Sequence, residues 1–138
     1  MSQARRVVHV EDDDDTRLVF RAALEIGGHH VEEARDGIEG LARILAENPH
    51  VAFVDIGLPG MDGYEVARRV RAELGPSMLL VAMTGYAKES DRLRALSAGF
   101  DLHMSKPIEL ELVKRILETT TRLAFSDGVA HTSGEEYR

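Results

Sequence analysis

Short apolar runs alternate with amphipathic stretches along most of this chain. Val7 to Val10, Val51 to Val54, Met78 to Met83 and Leu102 to Ser105 read as strands, the longer runs as strands covered on both faces. Between the strands, apolar residues recur at helical spacing. Val19, Ala22, Ala23 and Ile26 fall at i, i+3, i+4 and i+7, and so do Ile38, Leu41, Ala42 and Leu45. Both faces are expected to pack on a sheet, with Gly27-Gly28 ending the first helix and Asn48-Pro49 the second. A third helix is predicted from about Gly63 to Leu74, with Val66, Val70 and Leu74 inward and Gly75-Pro76 as its stop. A more polar helix is expected near Ala87 to Ala98, ended by Gly99, and a last one from Glu109 to about Leu123 with Leu110, Val113 and Leu117 inward. This alternation predicts an α/β fold of (βα)5 type with a parallel sheet. Residues 1–123 form the expected domain, and 124–138, without periodicity, are expected to be a mobile tail.

Composition narrows the possibilities. A chain of 138 residues with 43% hydrophobic content is one ordinary domain with a real core. It has no cysteine, which excludes disulfides, thiolate zinc and cysteine nucleophiles. Met1 to Arg6 leads into only four apolar positions before the acids, too few for a signal peptide, and nothing approaches the roughly 20 apolar residues of a membrane span. A soluble, cytoplasmic protein without a membrane partner is expected. The net charge of -7 disfavours a general polyanion binder, so no direct nucleic-acid partner is expected.

The candidate chemistry lies at the strand ends. Asp55 closes one apolar run, and Glu11-Asp12-Asp13-Asp14-Asp15 follows another. In a parallel sheet these ends share the carboxyl edge, where open α/β folds bind ligands. Carboxylates gathered there repel one another, and proton uptake, a cationic side chain or an oxygen-ligated metal relieves the repulsion. Lys106-Pro107 after the last strand brings one cation to that edge. Acids, a lysine and an oxygen-ligated metal suit phosphoryl chemistry. Asp13, Asp14 and Asp15 also precede a helix and suit cap and dipole roles. Gly57, Gly60 and Gly63 suit turns, since a P-loop context is missing. The histidines lack ligand spacing: His29, His30 and His50 are expected in loops or at strand edges, His131 in the tail, and His9 as a hydrogen-bonded core imidazole.

Taken together, Glu11-Asp12, Asp55 with Ile-Gly-Leu-Pro-Gly-Met-Asp-Gly, Thr84 and Lys106-Pro107 resemble the receiver domain of two-component response regulators, over about Arg5 to Leu123. The resemblance implies a doubly wound, flavodoxin-like sheet of order 2-1-3-4-5. It implies Asp55 as phosphoacceptor and Mg2+ (or Mn2+) held by Glu11, Asp12, Asp55 and the backbone carbonyl of Gly57. Lys106 and Thr84 would contact the phosphoryl oxygens, Thr84 as the switch, with a cis bond between Lys106 and Pro107. The protein would be no enzyme in its own right, although it assists its own Mg-dependent phosphorylation and dephosphorylation. Receivers usually carry Tyr or Phe three residues before the lysine; here His103 stands there, and its swing would depend on protonation. The resemblance also implies that Gly57 and Tyr86 stand at positions that influence phosphate lifetime in the family.

The implied donor is a histidine kinase or histidine phosphotransfer protein, docking on the first helix and nearby loops. The downstream partner is unknown, and residues 98–107 look somewhat like receivers fused to hybrid kinases. A monomer or weak homodimer is expected, the charges from Lys88 to Arg94 and from Glu111 to Arg115 being a solvated face. Two other readings compete. Asp12 to Thr16 also fits the Asp-x-Asp-x-Thr pattern of haloacid-dehalogenase-like phosphatases, with Asp12 as nucleophile and Asp14 as general acid. That reading leaves the Asp55 segment unused. The other is a receiver-like binding module that is never phosphorylated.

Overall fold

The computed structural model describes residues 3–85 and 88–123. The chain runs β1 (Arg6–Val10), α1 (Asp14–Ile26), β2 (His30–Ala34), α2 (Gly37–Glu47), β3 (Val51–Asp55), α3 (Gly63–Leu74), β4 (Leu79–Thr84), α4 (Glu89–Ala98), β5 (Leu102–Ser105) and α5 (Leu110–Leu123). All strand pairs are parallel, and the order is β2-β1-β3-β4-β5. The (βα)5 expectation and the implied strand order both hold. Tyr86 and the tail beyond 123 lie outside the described residues.

Period-two alternation divides the core. Val8, Val10, Ala52, Val54, Leu80 and Ala82 face the layer of α2, α3 and α4, packing with Ile44, Val66, Val70 and Ala95. Their neighbours Val7, Val51, Phe53, Val81, Met83, Leu102 and Met104 face α1 and α5, packing with Phe20, Leu24, Val113, Ile116 and Leu117. Central strands buried on both faces need continuous apolar runs, which is why β3 and β4 stood out in the sequence.

The predicted faces of the first two helices need correction. Phe20 and Leu24 are buried on α1, while Val19 and Ile26 are 59% and 88% exposed and Ala22 is exposed too. The helix carries two apolar faces, and the sheet takes the one with the phenyl ring, which buries more area. On α2 the buried line is Gly37, Gly40 and Ile44; Ile38 and Ala42 are exposed, and Leu41 and Leu45 half-buried. A Cβ on Gly40 would lie 2.6 Å from Val10, so the helix backbone itself approaches the sheet. Apolar side chains at i, i+3, i+4 cannot report a face made of glycines. On α3 and α5, Val66, Val70, Val113 and Leu117 are buried as expected, Leu74 and Leu110 only partly.

α4 is the least anchored helix. It buries only Ala95 and Ala98, and Lys88 at its N-cap makes no side-chain cap bond. Its other end is clasped: the Gly99 amide donates to the Ala95 and Leu96 carbonyls. Arg71 donates through Nε to the Gly99 carbonyl at 2.8 Å and through Nη2 to Asp101 at 2.6 Å.

His9 also departs from expectation. It is buried in β1, stacked on Phe20 with 3.9 Å between ring centroids, and neither ring nitrogen has a hydrogen-bond partner among the described residues. Burial first, then the charges of Lys106 and Arg17, push its pKa from 6.5 down to about 3. The ring therefore stays neutral when folded, and the unfolded chain takes up the proton first. Stability attributable to His9 is present above 6.5 and is lost as pH falls toward 3. Replacing an unpaired buried polar group by an apolar one is neutral or stabilising. His9→Leu is expected to match or exceed the wild type in urea denaturation at pH 7. Its advantage should grow by up to about 1.4 kcal/mol for each pH unit below 6.5.

Candidate functional site

The carboxyl ends of β1, β3, β4 and β5 meet around one ammonium group. Glu11, just past β1, is 1% exposed; Asp55, the last residue of β3, and Thr84, the last of β4, are each 7% exposed. Lys106 Nζ donates to Glu11 Oε1 at 2.9 Å and to Asp55 Oδ2 at 2.7 Å. The remaining carboxylate oxygens take backbone donors: Asp13 N–H reaches Glu11 Oε2 at 3.1 Å, and Gly57 N–H reaches Asp55 Oδ1 at 2.9 Å. Lys106 is fixed through its own backbone, whose N–H donates to the Thr84 carbonyl at 2.7 Å. The Lys106-Pro107 bond is cis, as the resemblance implied.

Close backbone packing frames Asp55. A Cβ at Gly63 would stand 2.7 Å from the Asp55 carbonyl oxygen, and one at Gly37 would stand 1.7 Å from the Met61 carbonyl. Neither place admits a side chain, so the loop after β3 lies tight against the start of α3 and of α2.

Asp12 is exposed beside this pair, and Glu11, Asp12 and Asp55 each offer an oxygen within 4.8 Å of the others. Such an all-oxygen set suits a hard divalent cation. The electrostatics agree. Burial, reinforced by the Asp55 charge, raises the Glu11 pKa even though Lys106 and the Asp13 amide oppose it. Burial works against the Lys106 charge too, but the hydrogen bonds it donates to Asp55 and Glu11 outweigh it and hold its pKa above 10.5. With Lys106 bonded to two of the three carboxylates, negative charge remains uncompensated.

The other acids of the run are engaged elsewhere. Asp13 is the N-cap of α1, its carboxylate accepting from Thr16 N–H at 2.8 Å and Thr16 Oγ1 at 2.6 Å. Those bonds lower its pKa. Asp14 is paired with Arg17, the position a phosphatase would need for its general acid. Arg17 was not singled out from the sequence, although its i, i+3 spacing from Asp14 was a usable signal. His103 is buried on β5 with its Nε2 lacking a partner among the described residues. Burial lowers its pKa, against the charge of Asp91 on α4.

The response regulator receiver domain model matches residues 7–118. The chain belongs to this family. Among its relatives, an uncharacterised 14.6 kDa protein of Leptolyngbya boryana is 39% identical over 113 residues, 80% of this chain and 86% of that protein. The transcriptional regulatory protein CseB of Streptomyces coelicolor is 34% identical over 135 residues, 97% of this receiver but only 57% of CseB. The receiver thus spans little more than half of that regulator. Among solved structures, a CheY-like response regulator receiver from Methanospirillum hungatei JF-1 is 33% identical with a TM-score of 0.77, covering 87% of this chain and 98% of that one. Membership favours the receiver reading over the phosphatase one. No helix among the described residues is long and apolar enough to cross a membrane.

Lys106 makes the arrangement tolerable, and its removal tests that. Lys106→Met is expected to cost about 2 kcal/mol in urea denaturation at pH 7 without divalent cations, less than a fully buried pair because the side chain is 29% exposed. In wild type, the Lys106 contribution is intact below 10.5 and lost as pH rises through its raised value. The deficit of the variant should shrink at acid pH, as the stranded carboxylates take up protons, and when Mg2+ is added.

Proposed function

We propose that this receiver accepts a phosphoryl group on Asp55 from a histidine kinase or a histidine phosphotransfer protein, in two-component or phosphorelay signalling in the cytoplasm, and that the resulting acyl phosphate changes the binding of a downstream protein. The observation that carries this reading is the Lys106 bridge between Glu11 and Asp55 beside the exposed carboxylate of Asp12.

A carboxylate oxygen of Asp55 attacks the phosphorus, the bond to the donor imidazole nitrogen breaks, and that nitrogen leaves with the electron pair. Lys106 accompanies the transferred group as a point charge. Glu11, Asp12, Asp55 and the Gly57 carbonyl would hold Mg2+ or Mn2+, which when bound neutralises charge on the phosphoryl oxygens. Thr84 ends the strand between those that carry Asp55 and Lys106, and its hydroxyl would meet the new phosphoryl group. The exposed apolar face of α1 gives the donor a place to dock. Beside it is a groove of about 350 Å³ lined by Thr16, Val19, Phe20, Lys106, Pro107 and Ile108, which opens next to the lysine of the site. A donor helix on that face would bring its histidine toward Asp55.

His103 lies beneath α4 and is the proposed relay from Thr84 to that helix. His103→Ala is expected to be phosphorylated by acetyl phosphate at nearly the wild-type rate, while the phosphorylation-induced shifts of α4 amides in NMR spectra become smaller. Undiminished shifts would remove His103 from the switch. The primary test is intact mass after incubation with acetyl phosphate and Mg2+. Wild type is expected to gain one phosphoryl group only with the metal present, and Asp55→Asn none. No adduct on wild type would favour the module that is never phosphorylated; an adduct kept by Asp55→Asn and lost by Asp12→Asn would overturn the assignment of Asp55.

A further inference from the structure

Lys106 holds the acidic loop from one side, and a second cation holds it from the other. Arg17 Nη1 donates to the Glu11 backbone carbonyl at 2.8 Å, Nη2 pairs with Asp14, and the side chain is 12% exposed. The Glu11 side chain meanwhile accepts from the Asp13 amide, and the Asp13 side chain caps α1. Residues 11–17 therefore close on themselves, with a guanidinium fork spanning a carbonyl and a carboxylate six and three residues upstream.

We infer that Arg17 is a positioning residue for the divalent-cation site: gripping the Glu11 carbonyl and Asp14 together, it keeps Glu11 and Asp12 turned toward Asp55 and withholds Asp14 from the ion. The inference rests on the reading that Glu11, Asp12 and Asp55 hold that ion. Five consecutive acids could satisfy a cation in several ways. Of the five, Glu11 and Asp12 join Asp55, while Asp13 is committed to Thr16, Asp14 to Arg17, and Asp15 lies in the first turn of α1. The fork matters more than the charge. A guanidinium can serve two acceptors in fixed directions, whereas an ammonium on a flexible stem acts as a point charge. Partners behind a metal ligand that hold its orientation commonly carry ten- to a hundred-fold of the affinity.

Charge alone makes the opposite forecast, since a cation this close should repel Mg2+ and its removal should tighten binding. Mg2+ titration of the unphosphorylated chain, followed by the Gly57 amide resonance, separates the two for wild type, Arg17→Lys and Arg17→Gln. Denaturation midpoints in EDTA report the fold. Both variants are expected to bind Mg2+ about tenfold more weakly, with lysine failing to rescue and midpoints staying near wild type. Unchanged affinity in Arg17→Lys with tighter binding in Arg17→Gln overturns the inference, as does a weakening matched by a collapsed midpoint. A wild type that binds no Mg2+ overturns instead the metal reading on which the inference stands.

Discussion

The ammonium group of Lys106 is the interaction on which the carboxyl edge depends. Lys106 follows β5 and Glu11 follows β1, three strand spacings apart in the sheet, or about 14 Å between backbones at usual spacing. Only two long side chains reaching toward each other, aided by sheet twist, close that distance. Asp55, on the strand next to β1, is gathered into the same contact, and Thr84 lies on the strand that the lysine crosses. The edge is thus tied by one charge to two buried acids. Burial of those acids would otherwise be unfavourable by several kcal/mol. The same burial leaves them undersupplied with positive charge, a shortage that a divalent cation would relieve.

Much of this was legible in the sequence, for a physical reason. Central strands buried on both faces must be apolar throughout, so β3 and β4 announced themselves, the latter displaced by one residue at each end. β2 did not. An edge strand reading His-Val-Glu-Glu-Ala buries only Val31 and Ala34, and neither length nor alternation distinguishes it from a loop. The helix stops were readable too, since Asn48 adopts the left-handed conformation at φ 44° and Gly75 has φ 71°. The site followed from strand ends alone, because parallel strands deliver whatever follows them to one edge. Within the acidic run the sequence separated Glu11 and Asp12 from three aspartates suited to cap and dipole roles, and Asp13 is indeed the cap of α1. What it left open was which of the three caps the helix and which meets Arg17, because that depends on the donor or cation each one faces.

The misread face of α1 carries a lesson of its own. Helical periodicity counts apolar positions without knowing which set the sheet will take, and α1 has two sets to offer. The sheet took Phe20 and Leu24 and left Val19, Ala22 and Ile26 facing solvent. A domain gains nothing in folding from three apolar groups in water, and of the three Val19 lines the groove that reaches Lys106.

The uneven fastening of α4 has a mechanical meaning. Its far end is riveted by Arg71, Gly99 and Asp101, while the end that follows Thr84 by only a few residues has neither a side-chain cap nor a large buried side chain. It resembles a door hung on its distal side, with the latch toward Thr84. Under the proposed function, a pull on Thr84 would act at the less fastened end, and a reaction confined to one carboxylate would move an outer surface while the strands beneath it keep their register.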